Sequence, residues 1–357
     1  SSRVRVDAEL AALRQRQANR EAEIRAYERR HLDPASNPGI EYLSGRAMGE
    51  ATLMAPAMAP ADTVGQIREF RVPGATCNDF TPITATARKV GTSGIWYTDD
   101  LNPTVDSLTL SDIETASDLF DDFIFPFDTT FFGSPSDVDG NSKIVIVLTK
   151  AVNTTGAAGF VYSGDLLPRS SCAYSDEGEI FYGYVPDPSG DFGNSYSRQS
   201  VVNFLPVLIA HEFTHNIQIS RRTVVLPGGI FPASWIAEGQ ATFAEEVVGH
   251  AHTGNSAGSN YGSSVATSGP PFWYWQGITK LGYYFGYDGS GAPRIANTPE
   301  DCTLFGDFSG NIGSCRTSGF YGSSWSMLRY LTDRLYSADA SAFHKDLISS
   351  NPSLRGV

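Results

Sequence analysis

The segment LIAHEFTHNIQ (208–218) constrains this chain more than any other, because it sets His211, Glu212 and His215 at positions i, i+1 and i+4 of an apolar run. Residues four apart share one face of an α-helix, so both imidazoles can reach a single point with Glu212 beside it. That is the donor set a zinc ion takes, with a carboxylate left over to act as a base. The pattern arises by chance about once in a hundred chains of this size, so its surroundings must carry weight. Val202, Leu205, Leu208, Ile209 and Ile217 predict a helix over 200–219, with Asn203 as N-cap and Pro206 tolerated in the first turn.

Zinc at a catalytic site uses three protein ligands and leaves a position open for water. The extended pattern H-E-x-x-H-x-x-G-x-x-H is absent, since Gln218 and Arg221 occupy its Gly and His places. SWIAEGQATFAEE (234–246) instead supplies Glu238 near the start of a second expected helix, with Ser234 as its N-cap. In the expected chemistry Zn²⁺ lowers the pKa of a water, and Glu212 takes the proton as the water attacks a peptide carbonyl. Glu212 then passes the proton to the leaving amine.

The rest of the chain divides by pattern. Residues 1–62 read as a solvated helix, Asp7 to Arg30, followed by an Ala, Met and Pro-rich linker, together an arm or pro-segment remnant. Residues 63–198 read as β-rich, with a hairpin turning at Gly91 to Gly94 and strands at 143–149, 156–164 and 178–186. One helix interrupts them at 108–125, capped by Ser111. Residues 199–357 read as α-helical, with further helices at 234–250, 271–286, 318–336 and 340–350. This is an α+β chain, a β-rich half followed by a helical half that carries the metal ligands. The strand in GAAGFVYSG is the expected sheet edge, where Ala158, Gly159 and Phe160 would pair with an extended peptide.

Charge and cysteine content narrow the partners. Lys+Arg 26 against Asp+Glu 39 gives a net charge of −13, which repels polyanions and excludes nucleic acid. The longest apolar run, 201–210, is too short to span a membrane. Four cysteines without a C-x-x-C pair, Cys77, Cys172, Cys302 and Cys315, fit two disulfides. Of the three pairings, Cys77–Cys172 and Cys302–Cys315 are expected, and with them a secreted protein whose signal peptide has been removed. Its oligomeric state is not legible.

The zinc segments resemble a known group. His211-Glu212-x-x-His215 followed by Trp235-x-x-Glu238-Gly239-x-Ala241 is similar to the gluzincin metallopeptidases, although the gap of 22 residues between His215 and Glu238 is longer than in their one-zinc aminopeptidases. The resemblance implies that Glu245 orients a zinc ligand from behind and that Tyr321, in FYGSSWSMLRYL, donates to the oxyanion. The Gly-x-Met-Glu-Asn exopeptidase segment is missing. VGQIREF, SDVDGNSKIVIVL, GAAGFVYSGD and GEIFYGYVPD extend the resemblance, over roughly residues 63–340, to the hyicolysin family of secreted bacterial neutral metallopeptidases. It implies a zincin, thermolysin-like fold, one catalytic Zn²⁺, and protein or peptide substrates cut internally. An aminopeptidase and an inactive gluzincin-fold binding domain are the alternatives.

Four further features have plainer readings. In SDVDGNSK (136–143), Asp137, Asp139 and Asn141 alternate, but Ser142 and Leu148 stand where an EF-hand needs Gly and Glu. Asx turns are expected there, with an irregular Ca²⁺ site as the alternative. His250 and His252 read as a solvated pair on a Gly-rich loop (249–264) rather than a second metal site. His31 and His344 read as surface residues. The aromatics of 271–287 read as core packing before substrate groove.

Overall fold

A computed structural model describes residues 62–73, 79–170, 172–225, 234–256, 259, 271, 273–285 and 317–349. The expected arm at 1–62 (Asp62 apart), and with it His31, lies outside the described residues, as do Cys77, Cys302 and Cys315. The described chain is mixed α+β, with the sheet first and most helices after it.

β1 (Ile67–Pro73), β2 (Phe80–Val90) and β3 (Gly94–Asp99) form an antiparallel meander. The turn between β2 and β3 is closed by Gly91 N–H donating to the Gly94 carbonyl at 2.8 Å, as the sequence predicts. β4 (Ile144–Leu148) then pairs parallel to β3, and its IVIVL sequence is buried throughout, as a strand covered on both faces must be. β5 (Gly159–Val161) and β6 (Ile180–Gly183) complete a six-stranded sheet of order β1-β2-β3-β4-β6-β5, with β6 parallel to β4 and β5 antiparallel to β6. β5 is therefore an edge strand, as expected, but it is only three residues long before the chain turns into a 3₁₀ helix at Ser163–Leu166.

Between β3 and β4 the helix begins at Thr109 rather than Ser111. Thr109 and Asp112 form a reciprocal capping box that satisfies two otherwise unpaired N–H groups. α1 (Leu110–Leu119) passes through a π-helical turn at Phe120–Ile124 into α2 (Phe125–Phe132), which Gly133 ends at φ 99°. α3 (Lys150–Asn153) is a single turn after β4.

α4 (Arg198–Ile219) carries the HExxH segment and corrects the sequence reading at its start. Its N-cap is Ser197, whose side chain accepts from Ser200 N–H, so Asn203 lies inside the helix and Pro206 in its interior. Pro206 costs one main-chain hydrogen bond there. The turns before it are tied down from outside: Arg198 donates to both carboxylate oxygens of Asp112 on α1, at 2.7 and 2.8 Å, and its backbone N–H donates to Asp106. This long-range clamp, invisible to local propensity, carries the helix past the proline.

α5 (Ser234–His252), α6 (Trp275–Tyr284), α7 (Thr317–Leu335) and α8 (Ala340–Ser349) follow. Ser234 is the first helical residue, not a preceding cap. α4 is buried on nearly every side from Leu205 onward, packing against α5 and across β5 and β6. Phe213 on its far face meets Phe120 and Phe125 at 5.4 and 5.3 Å between ring centroids. One hydrophobic core thus runs from Phe70 on β1 to Ile348 on α8, spanning both halves. Among the described residues no helix is long and apolar enough to cross a membrane.

Candidate metal centre

Helical spacing on α4 and the packing of α5 against it bring His211, His215 and Glu238 to one buried point. The two Nε2 atoms are 3.3 Å apart, and Glu238 Oε2 lies 3.3 Å from that of His211 and 3.4 Å from that of His215. Each residue offers one ligand atom, and all three atoms lie within 4.8 Å of one another. Gly239, directly after Glu238, makes the approach of α7 possible. A Cβ there would stand 3.0 Å from the Ser324 carbonyl oxygen and 2.8 Å from a Leu328 methyl.

The donor set passes a chemical test for a divalent cation. Both carboxylate oxygens of Glu238 are buried without a hydrogen-bond partner, a costly arrangement unless a cation sits there. The outer nitrogens are already committed. His211 Nδ1 lies 2.9 Å from Glu245 Oε1, and His215 Nδ1 lies 2.9 Å from Gln218 Oε1. Both contacts leave Nε2 facing the centre. Glu245 thus stands behind His211, the position in which the resemblance expects it.

Electrostatics agree with the geometry. Burial alone would depress His211, but the carboxylates of Glu238 and Glu245 beside it outweigh that and push its imidazole up to about 10. His215 is likewise disfavoured by burial and raised overall by Glu238. Burial would raise Glu238, but the two imidazoles hold it well below the usual carboxylate range. Without metal the cluster therefore holds protons at neutral pH, and a divalent cation would displace them. Glu212 is buried, and burial raises its carboxyl despite the opposing His215 and His211 charges. It is not one of the three converging ligands.

Tyr321 lies inside α7, within the helix expected over 318–336. It reaches the centre, its ring stacked on that of His211 with centroids 6.0 Å apart at 27°. Lys280 on α6 sits with Nζ 4.5 Å above the Tyr321 ring and is close enough to Glu212 to lower its carboxyl. Gly322 permits this approach, since a Cβ there would overlap the backbone of Lys280 and Leu281.

Other expectations change. His250 and His252 belong to the last turn of α5, not to a loop. His250 is buried, 3.3 Å from both Glu246 Oε1 and the Tyr274 hydroxyl, while His252 packs edge-on to Phe123. His344 is buried rather than exposed, stacked on Phe243 at 4.3 Å. Both residues lie in segments whose polar sequence hid their packing. Trp273 and Tyr274 are core residues, as expected.

The loop at 136–143 forms the expected Asx turns. Asn141 N–H donates to Asp139, Ser142 N–H to Asp137 and Lys143 N–H to Asn141. Glu179 brings a third carboxylate alongside Asp137 and Asp139, and it is occupied by Ser136 and by Val138 N–H. At the sheet edge, Gly159 and Phe160 are buried and Ala158 half-buried, with the Phe160 ring stacked on Tyr182. Cys172 is buried, its sulfur 3.8 Å from the Tyr162 hydroxyl.

Three contributors went unrecognised in the sequence. Gln218 sits three residues after His215, a spacing that puts it on the same helical face and could have flagged it. Lys280 and Asp128 carried no local signal. Asp128, on α2, is fully buried without a hydrogen-bond partner, and burial raises its carboxyl well above the usual range against an opposing pull from His211. Compared with known protein families and with curated proteins, the chain matches no family model and no relative.

Proposed function

We propose that this chain is a zinc-dependent peptidase of the gluzincin type, a secreted endopeptidase with a thermolysin-like catalytic domain. The observation that carries the reading is the convergence of His211, His215 and Glu238 on one buried point, with Glu212 beside them and outside the ligand set. A structural zinc site needs no such extra carboxylate, so Glu212 favours turnover over mere metal binding. The resemblance of the two zinc segments to gluzincins, Glu245 behind His211, and the missing exopeptidase segment support the same reading.

His211, His215 and Glu238 would hold the ion. Zinc there would supply Lewis acidity, lowering the pKa of a water and polarising the scissile carbonyl. Glu212, its carboxyl raised by burial, takes a proton from the attacking water and returns it to the leaving amine. Tyr321 donates to the developing oxyanion, and Lys280 above its ring adds positive charge on that side of the centre. β5, against which α4 packs, offers a sheet edge for an extended substrate.

The test is zinc stoichiometry together with hydrolysis of denatured casein by the wild-type protein, Glu212→Gln and Glu238→Gln. Glu212→Gln should keep one zinc and lose nearly all hydrolysis, whereas Glu238→Gln should lose the metal. Wild-type protein that binds no zinc overturns the reading. Zinc without hydrolysis turns it into a binding domain, and activity confined to free amino termini turns it into an aminopeptidase.

A further inference from the structure

Behind His215 runs a chain of buried polar groups that no local pattern announces. His215 Nδ1 meets Gln218 Oε1 at 2.9 Å, and Gln218 Nε2 reaches Gln240 Oε1 at 3.1 Å. Gln240 Nε2 lies 3.3 Å from His344 Nδ1, and His344 Nε2 lies 3.0 Å from Thr332 Oγ1. The side chains come from α4, α5, α8 and α7, and all are buried.

The direction of every link is determined, because three main-chain carbonyls, which can only accept, anchor the chain. Gln218 Nε2 donates to the Ala237 carbonyl at 3.2 Å, which places its amide nitrogen there and turns its oxygen to His215. Gln240 Nε2 donates to the His344 carbonyl at 3.1 Å, so its oxygen must face Gln218. Thr332 spends its one hydroxyl proton on the Leu328 carbonyl at 2.8 Å and must accept from His344 Nε2–H. His344 Nδ1 is then an acceptor for Gln240. With Gln218 offering only a lone pair, His215 must carry a proton on Nδ1, which leaves Nε2 as the nitrogen a metal would take.

We propose that Gln218 is a positioning residue for the metal centre, locking the tautomer and ring orientation of His215 through this polarised chain. The proposal rests on the zinc-site reading above. His211 receives the same service from the carboxylate of Glu245, so the two histidines are held by chemically different partners. A neutral amide fixes the tautomer without adding a second negative charge behind the ligands.

The test measures zinc affinity by chelator competition and the histidine ¹⁵N spectrum of the zinc-loaded protein, for wild type, Gln218→Met and Gln218→Glu. Gln218→Met keeps volume but offers neither acceptor nor donor and should weaken zinc by about 10- to 100-fold, with the His215 Nδ1–H resonance shifted. Gln218→Glu restores the acceptor toward His215 while setting an oxygen against the Ala237 carbonyl and Gln240 Oε1, so it is read by the His215 Nδ1–H resonance, which should return toward its wild-type position. Met and wild-type proteins with equal affinity and unshifted resonance would overturn the proposal while leaving the zinc site standing. A His215 Nδ1–H resonance shifted equally in Met and Glu would also overturn it. If Gln218→Met does not fold, the wild-type spectrum decides: zinc on His215 Nδ1, with the proton on Nε2, overturns the proposal. Wild-type protein that takes up no zinc removes the proposal and the zinc reading together.

Discussion

At the scale of single residues, Tyr321 is where geometry and chemistry can be separated. Its ring lies flat against His211 beneath Lys280, which secures its packing but leaves the work of its hydroxyl to be measured. A donor to the oxyanion acts mainly in the transition state. Tyr321→Phe should therefore lower kcat by about 10²-fold or more with KM little changed. If the ring only packs, loss of one hydroxyl should leave turnover near that of the parent and shift stability by about 1 kcal/mol. Steady-state kinetics on a quenched fluorescent peptide distinguish the two. Turnover within a few-fold of the parent removes Tyr321 from the mechanism.

At the scale of elements, the site is assembled by four helices whose contacts depend on missing side chains. Gly239 lets α7 close on α5 beside Glu238, and Gly322 lets α6 close on α7 beside Tyr321. A Cβ at Gly322 would overlap main-chain atoms of Lys280 and Leu281, which cannot swing aside as a flexible side chain can. Gly322→Ala should destabilise the protein by about 2–3 kcal/mol in urea unfolding, although alanine is the better helix former. It should also move Lys280 and Tyr321 apart. A stabilised Gly322→Ala would mean that α6 and α7 do not pack this closely. The same helices share a second buried group, Glu246, which accepts from Trp325 Nε1 at 2.8 Å and pairs with Arg329, joining α5 to α7.

At the scale of the whole molecule, buried titratable groups give the stability an uneven response to pH. Burial lowers His344 to about 3, so the unfolded chain binds its proton first as pH falls below the free imidazole's value. The folded state therefore loses stability between about pH 6.5 and pH 3, by on the order of 5 kcal/mol in total. Glu179 acts in the opposite sense. Burial raises it to about 7 despite hydrogen bonds from Ser136 and Val138, so folded protein holds a proton that unfolded protein has shed. That preference costs stability as pH rises from about 4.5 to 7, on the order of 3 kcal/mol. Thermal unfolding between pH 4 and 8 should show His344→Gln with a shallower acid loss than wild type, and Glu179→Gln with a shallower loss toward pH 8. Parallel curves for all three proteins would show that neither group titrates with folding.

Local pattern was enough for the parts of this protein that depend on spacing along the chain. Four-residue spacing put His211 and His215 on one face, alternation and turn residues marked the β2–β3 hairpin, and a β-branched run marked β4. The third member of the cluster was legible as well, because Glu238 opens a helix of suitable pattern, and Glu245 lies two turns beyond it on the same face. What spacing cannot carry is contact between distant segments. Ser197 rather than Asn203 starts α4 because Asp106 and Asp112, far back in the chain, hold Arg198. His344 and His250 are buried because helices close over polar stretches that read as surface. The orientation of His215 depends on Gln218, Gln240, His344 and Thr332, four residues on four helices whose hydrogen bonds exist only once the helices pack. A hydrogen bond needs its partners within about 3 Å and correctly aimed, and only the tertiary structure brings residues more than a hundred positions apart to that distance.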